Sequence, residues 1–338
     1  MMPMNFSHKL LKAAGLFAVI ATVRKNLSIQ RKFLEDHIAP VLKEALKNND
    51  GSLGENDLKK ITRYYGLAVP AILGEAFCAL RGNNMSISAR WASTCQGAMT
   101  GLFDDFFDKD YLSDEAIKNM ISKKNEPSSK KTNQLLFDTF YAKALEYAPD
   151  RKLMQETLSK VYEAQVESKK QQYELSKEEL IRITFEKGGS SLLFYRSAFT
   201  PSASENEISL LHGLGALMQL SNDIFDVYKD RESGIRTLVT ETTSISDVRK
   251  TYKDHLIRYY KNAFDTGHPK KNVQDFLNII SIGIFSRCFV CLDQLEQNEK
   301  LTGNKFAIHE YSRKQLICDM DKRPNMLRSA WRYINDIP

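Results

Sequence analysis

The chain has no sustained alternation of apolar and polar residues that would demand a β-strand, which argues against sheet-based folds. It also lacks a dominant charge sign. Lys and Arg total 48 against 42 Asp and Glu, and a net charge of +6 is mild for 338 residues, so nothing points to nucleic acid. Cysteine is sparse and odd in number: five residues give no disulfide framework, and a reducing compartment, the cytoplasm, is the expected setting. Cys288 and Cys291 form a C-x-x-C, but no second Cys pair or His pair accompanies it, so packed thiols are the reading rather than zinc. The six histidines are scattered, with no HExxH and no nucleophile elbow around a serine, which leaves Ser-His or zinc hydrolysis without support. Long apolar runs are missing too. Residues 13–23 behind Lys9 and Lys12 are too short to span a bilayer and read as an N-terminal helix, with export or membrane contact the lesser reading and no stable insertion expected.

What is present is helical periodicity almost from end to end. Ile29, Phe33, Ile38 and Leu42 recur at helical spacing, and turn signals such as Asn48-Asn49-Asp50-Gly51 and Arg81-Gly82-Asn83-Asn84 separate successive segments. Pro70 marks either a kink or a first helical turn, and Ser86 or Ser88 can cap the segment that follows. Residues 122–133 carry four lysines and no apolar side chain, which reads as a surface connector or a lid. Gly188-Gly189 interrupts the segment 177–199. The expectation is an all-α, single-domain bundle of about a dozen helices, with residues 1–26 a helical extension to a domain spanning 27–338.

Two acidic stretches stand out. In Phe103-Asp104-Asp105-Phe106-Phe107-Asp108, Asp104 and Asp108 fall at i and i+4 on one helix face, with Asp105 about 100° round. Such a pair is either a solvated helix end or a ligand set for Mg²⁺, which usually takes one or two carboxylates and completes its shell with water and phosphate oxygens. In the second stretch, residues 222–230 (NDIFDVYKD), Asn222, Asp226 and Asp230 stand at i, i+4 and i+8, with Asp223 beside them. That ladder repels itself unless cations lie between its rungs, and the adjoining Lys229 and Arg231 suggest that an anion is also received. Two acid-faced helices gripping divalent metals that hold a phosphorylated substrate is the physical inference, and hard oxygen donors make the metal Mg²⁺.

The ordered pair DDFFD at 104–108 and NDIFDVYKD at 222–230 resembles the two metal motifs of the class I isoprenoid synthases, the group of class I terpene synthases and trans-prenyl diphosphate synthases. The resemblance implies a helical bundle of the terpenoid synthase type round an apolar cavity. It implies Asp104 and Asp108 as ligands of two Mg²⁺, and Asn222, Asp226 and Asp230 as ligands of a third. Asp105 and Asp223 would be bridging or supporting acids. Residues 182–190 (RITFEKGGS) resemble the helix that breaks facing the diphosphate: Arg182 would sense that group, Lys187 would contact it, and a kink at Gly188 would aim a carbonyl into the cavity. Gln165 and Glu167 loosely match the family's Gln-x-x-Asp helix. Arg332-Tyr333 resembles the Arg-Tyr pair that closes over diphosphate, with Lys229 and Arg231 as further diphosphate contacts. Tyr65, Phe77, Phe103, Phe107, Phe194 and Phe225 are candidate cavity walls, whose ring faces can stabilise a carbocation.

The departures bear on the reaction. A Gly-Gly-Lys-Arg-like segment for isopentenyl diphosphate is missing upstream of DDFFD, and Arg63-Tyr64-Tyr65 is a poor substitute. The second motif opens on Asn-Asp and is intermediate between the two groups. The expected activity is ionisation and cyclisation of an acyclic allylic prenyl diphosphate, a small-molecule partner. Chain elongation with isopentenyl diphosphate and a silent prenyl-diphosphate-binding protein remain open, as do substrate chain length, product and a monomeric or homodimeric state.

Overall fold

The computed structural model describes residues 6–108, 112–122 and 130–338, apart from the side chains of residues 6–8, 11 and 108. Among the described residues 79% of the chain is helical and none lies in a strand, as the periodicity implies. The helices are α1 (6–47), α2 (55–81), α3 (Ile87–Asp108), α4 (Asp114–Ser122), α5 (Thr132–Tyr147), α6 (Arg151–Ser168) and α7 (Lys177–Arg196). They continue as α8 (Glu205–Phe225), α9 (Val227–Glu232), α10 (Ile245–Ala263), α11 (Lys270–Leu301), α12 (Arg313–Leu316) and α13 (Arg323–Asp336). Most of the 122–133 connector lies outside the described residues.

Local chemistry sets many of the boundaries. Ser86 Oγ accepts from the Ala89 N–H at 3.1 Å and starts α3, and Ser204 does the same for α8 through the Glu207 N–H. Gly82, at φ 69°, closes α2 in the left-handed conformation that a side chain would oppose. Pro70 neither ends α2 nor begins a helix. The chain passes it in a wide π-type turn at Val69–Gly74, where an expanded register accommodates the missing N–H. A similar turn, Leu34–Ile38, lies in α1 ahead of Pro40. α1 is continuous through residues 26 and 27, so no helix break marks the expected extension boundary.

The chain divides into two compact units. One comprises Thr22–Ser159 and Phe194–Ser202. Its core is the packing of α3 on α5 and α2, where Phe106 meets Phe137 edge-on at 5.4 Å and Phe103 stacks on Phe137 at 5.8 Å. The other comprises Met1–Ala21, Lys160–Leu193 and Ala203–Pro338. Here α8, α10, α11 and α13 pack on one another. Leu210, Leu214, Leu217, Leu220 and Ile224 recur at helical spacing and are fully buried, which fixes the face that α8 turns inward. α11 is long and apolar enough to cross a membrane by length and composition, yet 67% of its most apolar window is buried inside the unit, the pattern of a core helix. Cys288 and Cys291 are buried on it, as packed thiols should be.

Candidate metal and diphosphate site

The buried leucine face of α8 leaves its acidic C-terminal end on another flank. The helix stops at Asp226 (φ −89°, ψ 9°), whose N–H still reaches the Asn222 carbonyl at 2.8 Å, and the Asp230 N–H reaches the Asp226 carbonyl at 2.9 Å. The chain therefore bends into α9 without losing its i→i+4 bonds. A consequence is that the three rungs expected on one face differ: Asp226 and Asp230 are half-buried, while Asn222 is exposed.

Asp223 is buried and accepts from Gln219 Nε2 at 2.9 Å and Thr184 Oγ1 at 3.2 Å. Burial nonetheless pushes its carboxyl up to about 6, against the pull of Gln219 and Lys187. Asp230 is pushed up to about 8, first by burial and then by the charges of Asp223 and Asp226. Burial raises Asp226 as well, opposed by Lys229 and Lys187. Among the described residues, neither the Asp226 nor the Asp230 carboxylate has a hydrogen-bond or ion-pair partner. Lys187 and Lys229 are the cations whose charge reaches them.

Lys187 is carried by α7, which lies against α8 where Gly188 meets Gly215 backbone to backbone and Gly189 meets the His212 ring. This corrects the expected interruption: α7 runs unbroken through both glycines, which allow close helix approach rather than a break. Lys187 O accepts from the Ser191 hydroxyl at 2.8 Å, one helical turn on.

The other predicted cations are engaged elsewhere. Arg182 is half-exposed and pairs with Glu167 at 2.6 Å, and Glu167 also receives Lys170. Gln165 is buried. Arg231 is a structural pin: its Nη1 donates to the Ile308 and Tyr311 carbonyls at 3.0 and 2.9 Å, it pairs with Glu232, and it lies over the Tyr228 ring. Arg332 bonds Asp293 and Asp336, in a network that Arg249 joins through Asp293 and Glu296. Tyr333 is buried and donates to Asn278 Oδ1 at 2.8 Å. Among the described residues, the hydrogen-bond partners of Arg332 and Tyr333 lie on α11 and α13.

The first acidic stretch belongs to the other unit. Asp104 is half-buried, and Asp105 is buried and ion-paired to Lys60 at 2.6 Å. The Asp108 side chain lies outside the described residues. Phe103 and Phe107 form an edge-on pair in the α3 and α5 core, Phe77 packs on Phe199, and Phe194 is buried. Tyr65 in that unit and Phe225 in the other are half-buried. The two open clefts, one lined by Lys160, Glu186, Leu193, Ile208 and His212 and the other by Asp293, Glu296, Trp331 and Arg332, include none of these six aromatic side chains.

Sequence reasoning missed Lys60, Thr184 and Gln219. Gln219 had a signal, one helical turn before Asp223. Lys60 had none, 45 residues from its partner.

Among the described residues no group of three or more His, Cys, Asp or Glu side chains converges as a preformed ligand set. Mg²⁺ does not require one, since one or two carboxylates and water suffice. Asp226 and Asp230, oxygen donors without partners and strained by mutual repulsion, fit such an ion. No protein-family model matches the chain, and no curated protein matches it.

Proposed function

We propose that the chain is a Mg²⁺-dependent class I terpene synthase that ionises an acyclic allylic prenyl diphosphate and cyclises or quenches the resulting carbocation. The observation that carries this reading is the juxtaposition of two unpartnered, charge-stressed carboxylates, Asp226 and Asp230, with Lys187 and Lys229. A cation alone would leave the lysines beside added positive charge, and an anion alone would worsen the repulsion. A metal-bound diphosphate offers both signs together.

On this reading Asp226 and Asp230 hold Mg²⁺, and Asn222 joins them from the exposed flank. When bound, the metal supplies positive charge against the negative charge that develops on a departing diphosphate. Lys187 and Lys229 donate to diphosphate oxygens. Asp223, held by Thr184 and Gln219, fixes the acidic end of α8 against α7. The allylic C–O bond breaks with both electrons leaving on the diphosphate oxygen, and the carbocation then loses a proton or takes up water. Asp104 and Asp108 are ligands as well on this proposal, a role that substitution tests.

The experiment follows inorganic diphosphate released from farnesyl diphosphate with Mg²⁺. Asp226→Ala and Lys187→Ala should each lower turnover by about 100-fold or more, the scale seen when a charge-stabilising group is removed. Full turnover in both Asp226→Ala and Asp230→Ala would remove the assignment.

A further inference from the structure

One helix face is left unused by this chemistry. The α1 stretch Phe6–Phe33 contains six Lys and Arg and no Asp or Glu, the first acid being Glu35. Its outward face changes character along its length. Leu10, Ala14, Phe17 and Ala21, at i, i+4, i+7 and i+11, are all exposed, Leu10 by 63% and Phe17 by 79%. On the following turns the same side presents Arg24, Lys25, Arg31 and Lys32, all exposed.

The two earlier lysines point the other way. Lys9 donates to Asn335 Oδ1 at 2.9 Å and Lys12 to the Ile337 carbonyl at 2.7 Å, which ties α1 to the end of α13 within one unit. One and two turns back from Asn335, α13 exposes Trp331 and Leu327. A large exposed apolar surface needs a partner to cover it. Here the charge pattern says which kind: apolar side chains that bury in an acyl boundary, followed by basic side chains with no acid among them, complement an anionic lipid surface. Exposed tryptophan suits the headgroup level.

We infer that the outer face of α1 docks the protein on the surface of an anionic phospholipid bilayer. The contact is peripheral. The apolar stripe enters the acyl boundary and the basic turns meet the headgroups. This inference is independent of the proposed reaction.

The test is co-sedimentation of the full chain with vesicles of phosphatidylcholine alone and of phosphatidylcholine with phosphatidylglycerol. Binding is expected only to the anionic vesicles and should weaken as salt rises. Phe17→Glu should abolish it. The double variant Arg24→Glu, Lys25→Glu should weaken it by about thirtyfold or more. Circular dichroism and melting should match the parent, because these side chains are exposed. If Phe17→Glu fails to fold, the double variant carries the test by itself. No binding to anionic vesicles at low salt overturns the proposal. Equal binding by the folded variants also overturns it, and so does a Phe17-dependent dimer without vesicle binding, which would assign the face to a second copy of the chain.

Discussion

Gly188 on α7 and Gly215 on α8 touch through their backbones, and a methyl group added to either would overlap the carbonyl oxygen of the other. The contact sets the distance between the helix that carries Lys187 and the helix that carries the acidic ladder. Gly188→Ala or Gly215→Ala should cost about 1–3 kcal/mol through overpacking. Urea denaturation reads the loss, and turnover should fall with it because Lys187 is displaced from Asp226 and Asp230. Parent-like stability in both variants would mean that the helices are not held in this register.

Asp230→Asn separates stability from function. The substitution removes a carboxylate that burial and two neighbouring acids hold up at about 8, so in EDTA at pH 8 the variant should be more stable than the parent. A gain of about 1 kcal/mol is expected after allowance for solvent screening of a half-exposed group. Mg²⁺-dependent turnover should vanish in the same protein. A destabilised variant would show that Asp230 has a structural partner.

The pH dependence follows from the same carboxylates. Asp223 and Asp230 have folded values raised to about 6 and about 8 from an ordinary 3.8. Between pH 4 and 8 the folded chain therefore keeps protons that the unfolded chain has released. Stability contributed by these groups is complete near pH 4 and declines as pH rises through 6 and then 8. Melting in EDTA should be lower at pH 8 than at pH 5.5, and Mg²⁺ should narrow the gap by stabilising the ionised form.

Asp105 and Lys60 give a contrasting prediction. Their 2.6 Å ion pair is partly buried, with Asp105 at 9% side-chain exposure and Lys60 at 26%. Lys60→Ala removes an ion-pair partner of Asp105 and should cost about 2 kcal/mol, less than for a fully enclosed pair. Asp105→Asn should melt earlier yet retain turnover, whereas Asp104→Asn should lose it. Equal loss of activity in both, with stability unchanged, would make Asp105 a ligand.

The fold class was legible because its signal is local. Periodic leucines such as those of α8 and capping residues such as Ser86 and Ser204 act within a few residues of where they stand. The two acidic stretches were legible as clusters for the same reason. Their detailed geometry was not. Asn222 is exposed while Asp226 and Asp230 are half-buried, and the chain turns from α8 into α9 at Asp226, where no residue type announces it. A Gly-Gly pair reads equally as a break or as a close approach, and only the presence of Gly215 opposite decides between them. Arg231 reads as a free cation beside an acidic motif until the Ile308 and Tyr311 carbonyls, nearly 80 residues away, are seen to accept from it. Pairings at that separation leave no periodic trace.

The most direct measurement is product analysis of the full chain with Mg²⁺ and geranyl, farnesyl or geranylgeranyl diphosphate, each with and without isopentenyl diphosphate. The account predicts inorganic diphosphate and a hydrocarbon or alcohol from at least one allylic substrate alone, with both lost in EDTA and in Asp226→Ala. Longer prenyl diphosphates formed only when isopentenyl diphosphate is present would contradict cyclisation and assign elongation. A folded, Mg²⁺-stabilised protein that turns over none of these substrates would contradict the enzyme reading itself.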